Sequence, residues 1–172
     1  MRWVSTELRG DRDIVMLALC DDGMALQWAS EEMRGDRAIV MEAIRGCSKA
    51  LQWASEELKG DRDVVMAAVQ KSGTAMRHAS EEMWMDRDLV MAAVRNGLSL
   101  MDAPHFVRGD REVVMTAVKR LWRDLHWASE EMKGDHDIVM AAVKKNGRAL
   151  QYAPPFMQVD PFFINLATRT WR

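Results

Sequence analysis

The chain has 172 residues, 48% of them hydrophobic, with 24 Lys and Arg against 26 Asp and Glu. That near balance argues against a nucleic-acid or anionic-membrane partner for the chain as a whole, and no apolar run approaches the ~18 residues of a membrane span. The first residues, MRWVSTELRGDRD, carry charges where a signal peptide needs its apolar run, so a cytoplasmic location is expected. Cys20 and Cys47 have neither disulfide-framework nor metal spacing and read as structural or incidental thiols.

Seven aspartates, at 11, 36, 61, 86, 110, 135 and 160, each open nearly the same phrase. Taking the aspartate as position 1, the repeats run 11–35, 36–60, 61–85, 86–109, 110–134 and 135–159, with half units at 1–10 and 160–172. Units this short cannot bury an apolar face alone and must stack. The expected fold is therefore an all-α solenoid, one array over 1–172, each repeat contributing a main helix, a short helix and a capping turn. The offset at the two ends leaves two readings open: the natural unit starts elsewhere, or the chain is one stretch of a longer array.

In chain order, each repeat first predicts a helix of about ten residues, with the aspartate as N-cap and a second acid at position 3 favouring the helix start. Positions 4, 5, 6, 8 and 9 are apolar and sweep roughly 200° of the helix, so it packs on two sides. Position 5 is valine and position 8 alanine in all six full repeats, and position 6 is methionine from Met16 to Met140. The methionine file reads as packing between repeats, because left exposed beside tryptophans it would form an aggregating patch.

A short helix ending at the position-19 alanine is expected next. Pro104 and Pro154 stand at position 20, where a continuing helix would not accept them, so a new turn starts there, capped elsewhere by Ser30, Ser55, Ser80 or Ser129. The turn drops one apolar residue inward at position 23. Glycine at position 25 (Gly10, Gly35, Gly60, Gly109, Gly134) suits a left-handed exit; Met85 and Val159 replace it, predicting two junctions bent differently. Repeat four has lost one residue between Val94 and Leu100, a loop change of small cost that shifts the local twist. In the last half unit Pro161 favours a helix start, and Phe162, Phe163 and Trp171 offer a cap for the stack.

The run ALQWASEELKGDRDVVMAAV at 50–69 resembles the repeat of a family known only as a domain of unknown function, found in many protist and some bacterial proteins, and the likeness covers essentially the whole chain. It implies a helical repeat array, with no catalytic residues to carry over. The layout is also similar, more weakly, to leucine-rich variant repeats, which alternate α and 3₁₀ helices.

A file at position 18 begins at Trp3, and its candidate binding residues are Trp28, Trp53, His78, Asp102, Trp127 and Tyr152. Such rings either pack over the joints between repeats or serve as interface anchors; Asp102 points to partial exposure, since a buried aspartate is costly. The glutamate pairs at 31/32, 56/57, 81/82 and 130/131 read as a solvated face, neutralised between repeats by the basic residues at positions 2 and 24. Asp-x-Asp at 11–13, 61–63, 86–88 and 135–137 lacks the remainder of a calcium loop and reads as capping. The four histidines share no zinc spacing, and no phosphate loop, nucleophile elbow or Cys/His dyad is present, so no catalytic residue, metal or cofactor is assigned. The functional expectation is a non-enzymatic scaffold presenting one face to an unidentified protein partner; the alternatives are a purely structural segment of a larger repeat protein and, third, an enzyme.

Overall fold

A computed structural model describes residues 5–170. Trp3 and Trp171 lie outside the described residues. The chain divides into two compact bodies, Met1–Gly97 and Leu98–Arg172. The division falls in the shortened loop of repeat four, where Gly97 has φ +108°, a conformation that favours glycine.

Among the described residues every ordered element is an α or 3₁₀ helix. In the first body the main helices are Arg12–Asp21, Arg37–Gly46, Arg62–Lys71 and Arg87–Arg95. In the second they are Arg111–Arg120, His136–Lys145 and Pro161–Arg169. Within each body successive main helices pack side by side in one row. Successive short helices make a second row, and these are 3₁₀: Gly23–Trp28, Ser48–Trp53 and Gly73–His78 in the first body, Leu100–Asp102, Trp122–Trp127 and Gly147–Tyr152 in the second.

The core follows the expected periodicity. Val40, Val65, Val114 and Val139 at position 5, and Ala43, Ala68, Ala93, Ala117 and Ala142 at position 8, are fully buried. Burying each valine contributes roughly 1.5–3 kcal/mol, and alanine lets the helices approach closely. Of the position-6 methionines, Met91 is buried and the others are half-buried at the edge of the apolar arc. Phe163 closes the second body with 1% exposure, its ring 4.9 Å from His136.

Each short helix stops at position 18. In full-length repeats the next two residues are extended, as at Ala29 (φ −70°, ψ 157°) and Ser30 (φ −63°, ψ 164°). A φ near −60° at position 20 is the value proline fixes, which explains why Pro154 fits there at φ −58°. Ser30, Ser55 and Ser129 cap the turn through Oγ, accepting from the N–H of Met33, Leu58 and Met132 at 3.3 Å each. Met33, Leu58, Val107, Met132 and Met157 are buried beneath their turns.

The position-20 amide also crosses between repeats. Ser30, Ser55 and Ser80 donate to the carbonyls of Arg9, Arg34 and Lys59, and Ser129 to Arg108, at 2.9–3.0 Å. Each bond ties a turn to the end of the previous one. Pro154 has no N–H and cannot repeat it.

Two expectations need correction. The position-25 glycines are not left-handed: Gly10, Gly60 and Gly134 have φ between −97° and −89°. A Cβ on Gly60 would meet its nearest atom at 3.4 Å and Ser80 Oγ at 3.5 Å, ordinary contact distances, so these positions require neither a positive φ nor an unusually close approach. Val159 accordingly adopts φ −99°, ψ −2°, the same conformation as the glycines, and its junction is not bent differently. The Met85 junction does differ. Its turn, Glu81–Met85, is 3₁₀, Ser80 makes no side-chain cap, and Met85 is 73% exposed.

Candidate functional site

The joints between repeats are built first by charge. Each repeat aspartate turns one oxygen inward as an N-cap: Asp61 Oδ1 accepts from the N–H of Asp63 at 2.9 Å and Val64 at 3.0 Å. Its Oδ2 accepts from Arg37 of the preceding repeat at 3.4 Å. The same arrangement joins Arg12 to Asp36, Arg62 to Asp86 (2.6 Å) and Arg111 to Asp135 (2.8 Å). The position-3 acids take a second bond from the same arginine, as between Arg111 and Asp137 at 2.6 Å.

These contacts hold the carboxyls of Asp36, Asp61 and Asp86 below their ordinary value. In Asp36 the Arg12 guanidinium contributes most; in Asp61 and Asp86 the capping N–H of Val64 and Leu89 comes first, followed by Arg37 and Arg62. Burial of Asp135 pushes upward most strongly, but Arg111 and the Ile138 N–H together bring it below the ordinary value.

Arg12, Arg37, Arg62 and Arg111 therefore pair with aspartates and not, as the sequence suggested, with the glutamate pairs. They are drawn to the aspartates because the cap fixes those carboxylates at the joint. The expected position-24 cations do serve Glu56 and Glu130, but within the same turn and not between repeats: Lys59 pairs with Glu56 and Lys133 with Glu130, both at 2.7 Å. In repeats four and six, which lack an acid at position 21, the position-24 side chain reaches back to carbonyls. Arg108 donates to Ala103 O (2.8 Å) and Met101 O (3.0 Å), and Gln158 donates to Ala153 O (2.7 Å).

The position-18 file lies on the row of 3₁₀ helices. Trp28, Trp53 and His78 in the first body and Asp102, Trp127 and Tyr152 in the second are all half-buried. In the first body a cleft of about 510 Å³ opens between the turns of repeats one and two, lined by Glu31, Arg34, Gln52, Trp53, Glu56 and Lys59. The Trp53 indole N–H and the Arg34 Nε–H are buried there and no protein group answers either. Burial first, then the cations Arg77, Lys59 and Lys49, hold His78 below the usual histidine value, which favours the neutral ring. In the second body the Arg108 guanidinium lies 5.8 Å from the centre of the Trp127 ring.

Two features were missed by the sequence reading. Trp122 and His126 join the file: Trp122 stacks on Tyr152 with centroids 6.1 Å apart, and His126 lies 5.0 Å from Tyr152 and 4.7 Å from Trp127. The signal was available as two aromatic residues in one repeat at positions 13 and 17, where the others carry none. The second feature is a buried pair. Asp124, 1% exposed, accepts from Ser99 Oγ at 2.5 Å and lies 3.6 Å from Arg120. Burial raises its pKa, while Ser99, Arg120 and the Leu100 N–H oppose that shift. Ser99 and Asp124 both occupy position 15, which is alanine in repeats one, two, three and six.

Among the described residues no group of three His, Cys, Asp or Glu gathers as a metal site, and no helix is long and apolar enough to cross a membrane. A row of main helices backed by a row of 3₁₀ helices, repeated at the aspartate period, defines an all-α tandem-repeat protein of the solenoid class. The chain belongs to the family described as Domain of unknown function (DUF4116), which matches residues 1–34, 11–59, 36–84, 61–108, 86–127 and 110–158. Five of these stretches open on a repeat aspartate, so the family pattern and the helix register coincide. No curated protein and no solved structure matches the chain.

Proposed function

We propose that this chain is a non-enzymatic scaffold that binds another protein along its row of turns and 3₁₀ helices. The observation that carries the reading is the cleft beside Trp53. It combines a half-buried tryptophan, two buried donors without protein acceptors and the charged rim of Glu31, Glu56 and Lys59. Tryptophan and arginine are the side chains most favoured as interface anchors. The free thiols Cys20, exposed, and Cys47, half-buried, fit a reducing compartment, and in this reading the scaffold works in the cytoplasm.

A second reading, a structural segment with no specific ligand, draws support from the second body. There Trp127 is already occupied by Arg108 and His126.

Affinity capture from cell lysate followed by mass spectrometry separates the two. The wild-type chain is compared with Trp53→Ala and with the exposed-rim variant Glu31→Lys/Glu56→Lys, each shown folded by circular dichroism. A scaffold retains a partner that both variants lose. No enriched protein, or a partner held equally by all three, contradicts the scaffold and leaves the structural reading.

A further inference from the structure

Acid outnumbers base in Met1–Gly97, and base outnumbers acid in Leu98–Arg172. The difference is concentrated on one strip of the second body, formed by the ends of helices Arg111–Arg120 and His136–Lys145 and the 3₁₀ helices that follow them. Over residues 113–129 and 138–159 the only carboxylate is the buried Asp124. The equivalent stretch of repeat one carries the exposed Asp21 and Asp22.

Cations at helix C-termini are favoured by the helix dipole, and part of the strip is explained that way. Lys145 donates to the carbonyl of Lys119, and Arg120 donates to that of Leu98 at 2.9 Å. Lys119, Lys144, Arg123 and Arg148 remain exposed. Arg123 lies over the Trp122 ring at 4.5 Å, and Trp122, Tyr152, His126 and Trp127 follow as one contiguous aromatic cluster. Arg148 lines an adjoining cleft of about 250 Å³ together with Gln151 and Gln158.

We infer that this strip is the docking surface for an acidic extended segment of a protein partner. The inference rests on the scaffold reading and specifies the partner's chemistry on this body. Charge complementarity selects the occupant: several exposed cations face solvent with no exposed carboxylate among them. The rings decide between an acidic peptide and a single-stranded nucleic acid, which would also match the charge. Base stacking needs open ring faces. Here Trp122 is stacked on Tyr152 and carries Arg123, and Trp127 is flanked by His126 and Arg108, so these ring faces are already engaged.

The test is a fluorescence-anisotropy titration of the full chain into labelled probes at low salt. The probes are a short peptide alternating glutamate and tyrosine, its lysine and tyrosine counterpart, and an oligouridylate of equal length. Lys119→Glu/Lys144→Glu/Arg148→Glu reverses the strip. Arg45→Glu/Lys49→Glu/Arg95→Glu makes the same change in net charge on the other body, and all six side chains are exposed. The acidic peptide is expected to bind best, to weaken about tenfold or more with the strip variant, and to change less than about threefold with the control. A milder pair, Lys144→Gln/Arg148→Gln, gives a smaller loss in the same direction and guards against misfolding of the triple variant. Equal losses in both triple variants, tighter binding of the oligouridylate, or no binding of the acidic peptide overturns the inference. If the acidic peptide fails while lysate capture still yields a partner dependent on Glu31 and Glu56, the scaffold reading stands and this inference alone falls.

Discussion

Asp61 divides its two oxygens between its own helix start and the arginine of the preceding repeat. The two contacts differ in worth. A lost N-cap costs about 1 kcal/mol, whereas a partly exposed ion pair contributes roughly 0–1 kcal/mol. Asp61→Asn keeps a capping oxygen and loses the ionic bridge, so urea denaturation should show a smaller loss than for Asp61→Ala, which loses both, about 1–2 kcal/mol. Equal losses would mean that the cap is not what the aspartate supplies. At the buried pair the order reverses. Ser99→Ala leaves the Asp124 carboxylate buried with one donor fewer, and an unsatisfied buried group costs about 1–3 kcal/mol. The double variant Ser99→Ala/Asp124→Ala restores the alanine found at position 15 elsewhere and should be more stable than Ser99→Ala alone. The recurrence of aspartate made the cap legible in the sequence. The bridge was not, because its partner lies 24 residues away and glutamates offered a nearer acid in the chain.

At the scale of elements, glycines of similar appearance do different work. A Cβ on Gly23 would lie 2.3 Å from the carbonyl of Ala43 and 2.8 Å from the Cys47 nitrogen, so repeat one abuts repeat two at bare backbone. Gly23→Ala should lower the melting temperature more than Gly60→Ala. Gly60→Ala meets its nearest atom at 3.4 Å in a right-handed conformation, and should be close to neutral or slightly stabilising. Thermal melts of the two variants check this, and a Gly23→Ala protein as stable as Gly60→Ala would refute the close approach. The main helices were readable from caps and a wide apolar arc. The 3₁₀ form of the short helices was signalled only by the weaker likeness to leucine-rich variant repeats, since a six-residue segment carries too few apolar positions to separate a period of 3.0 from 3.6. Prolines 104 and 154 nevertheless located the extended break after them. The file at position 18 was visible as a recurrence, but its cleft and the aromatic cluster with Trp122 and His126 exist only once neighbouring repeats are packed.

For the whole molecule the aspartate joints set a pH dependence. The folded pKa values of Asp36, Asp61, Asp86 and Asp135 lie below the ordinary 3.8. Depressed carboxyls contribute stability that is fully present above the unfolded value and is lost as pH falls through the folded values. Asp124 acts in the opposite sense, since its raised pKa favours the folded state when it is protonated. His78, held below its ordinary 6.5, adds a loss that begins as pH falls below that value, so denaturant midpoints should start to fall below about pH 6.5 and fall further below about pH 4 as the aspartates are protonated. Asp124→Ala should leave that acid loss in place, whereas Asp61→Asn should reduce it. Stability that is flat through the acid range would show that the joints contribute nothing.

The central claim is that a protein partner sits on the row of turns and not on the row of main helices. Site-specific photo-crosslinking in lysate tests it most directly, with a benzophenone amino acid placed at Glu56, on the rim of the Trp53 cleft, or at Leu17, 71% exposed on the first main helix. A discrete crosslinked protein is expected from position 56 and none from position 17. Crosslinking only from position 17, or from neither, would contradict it.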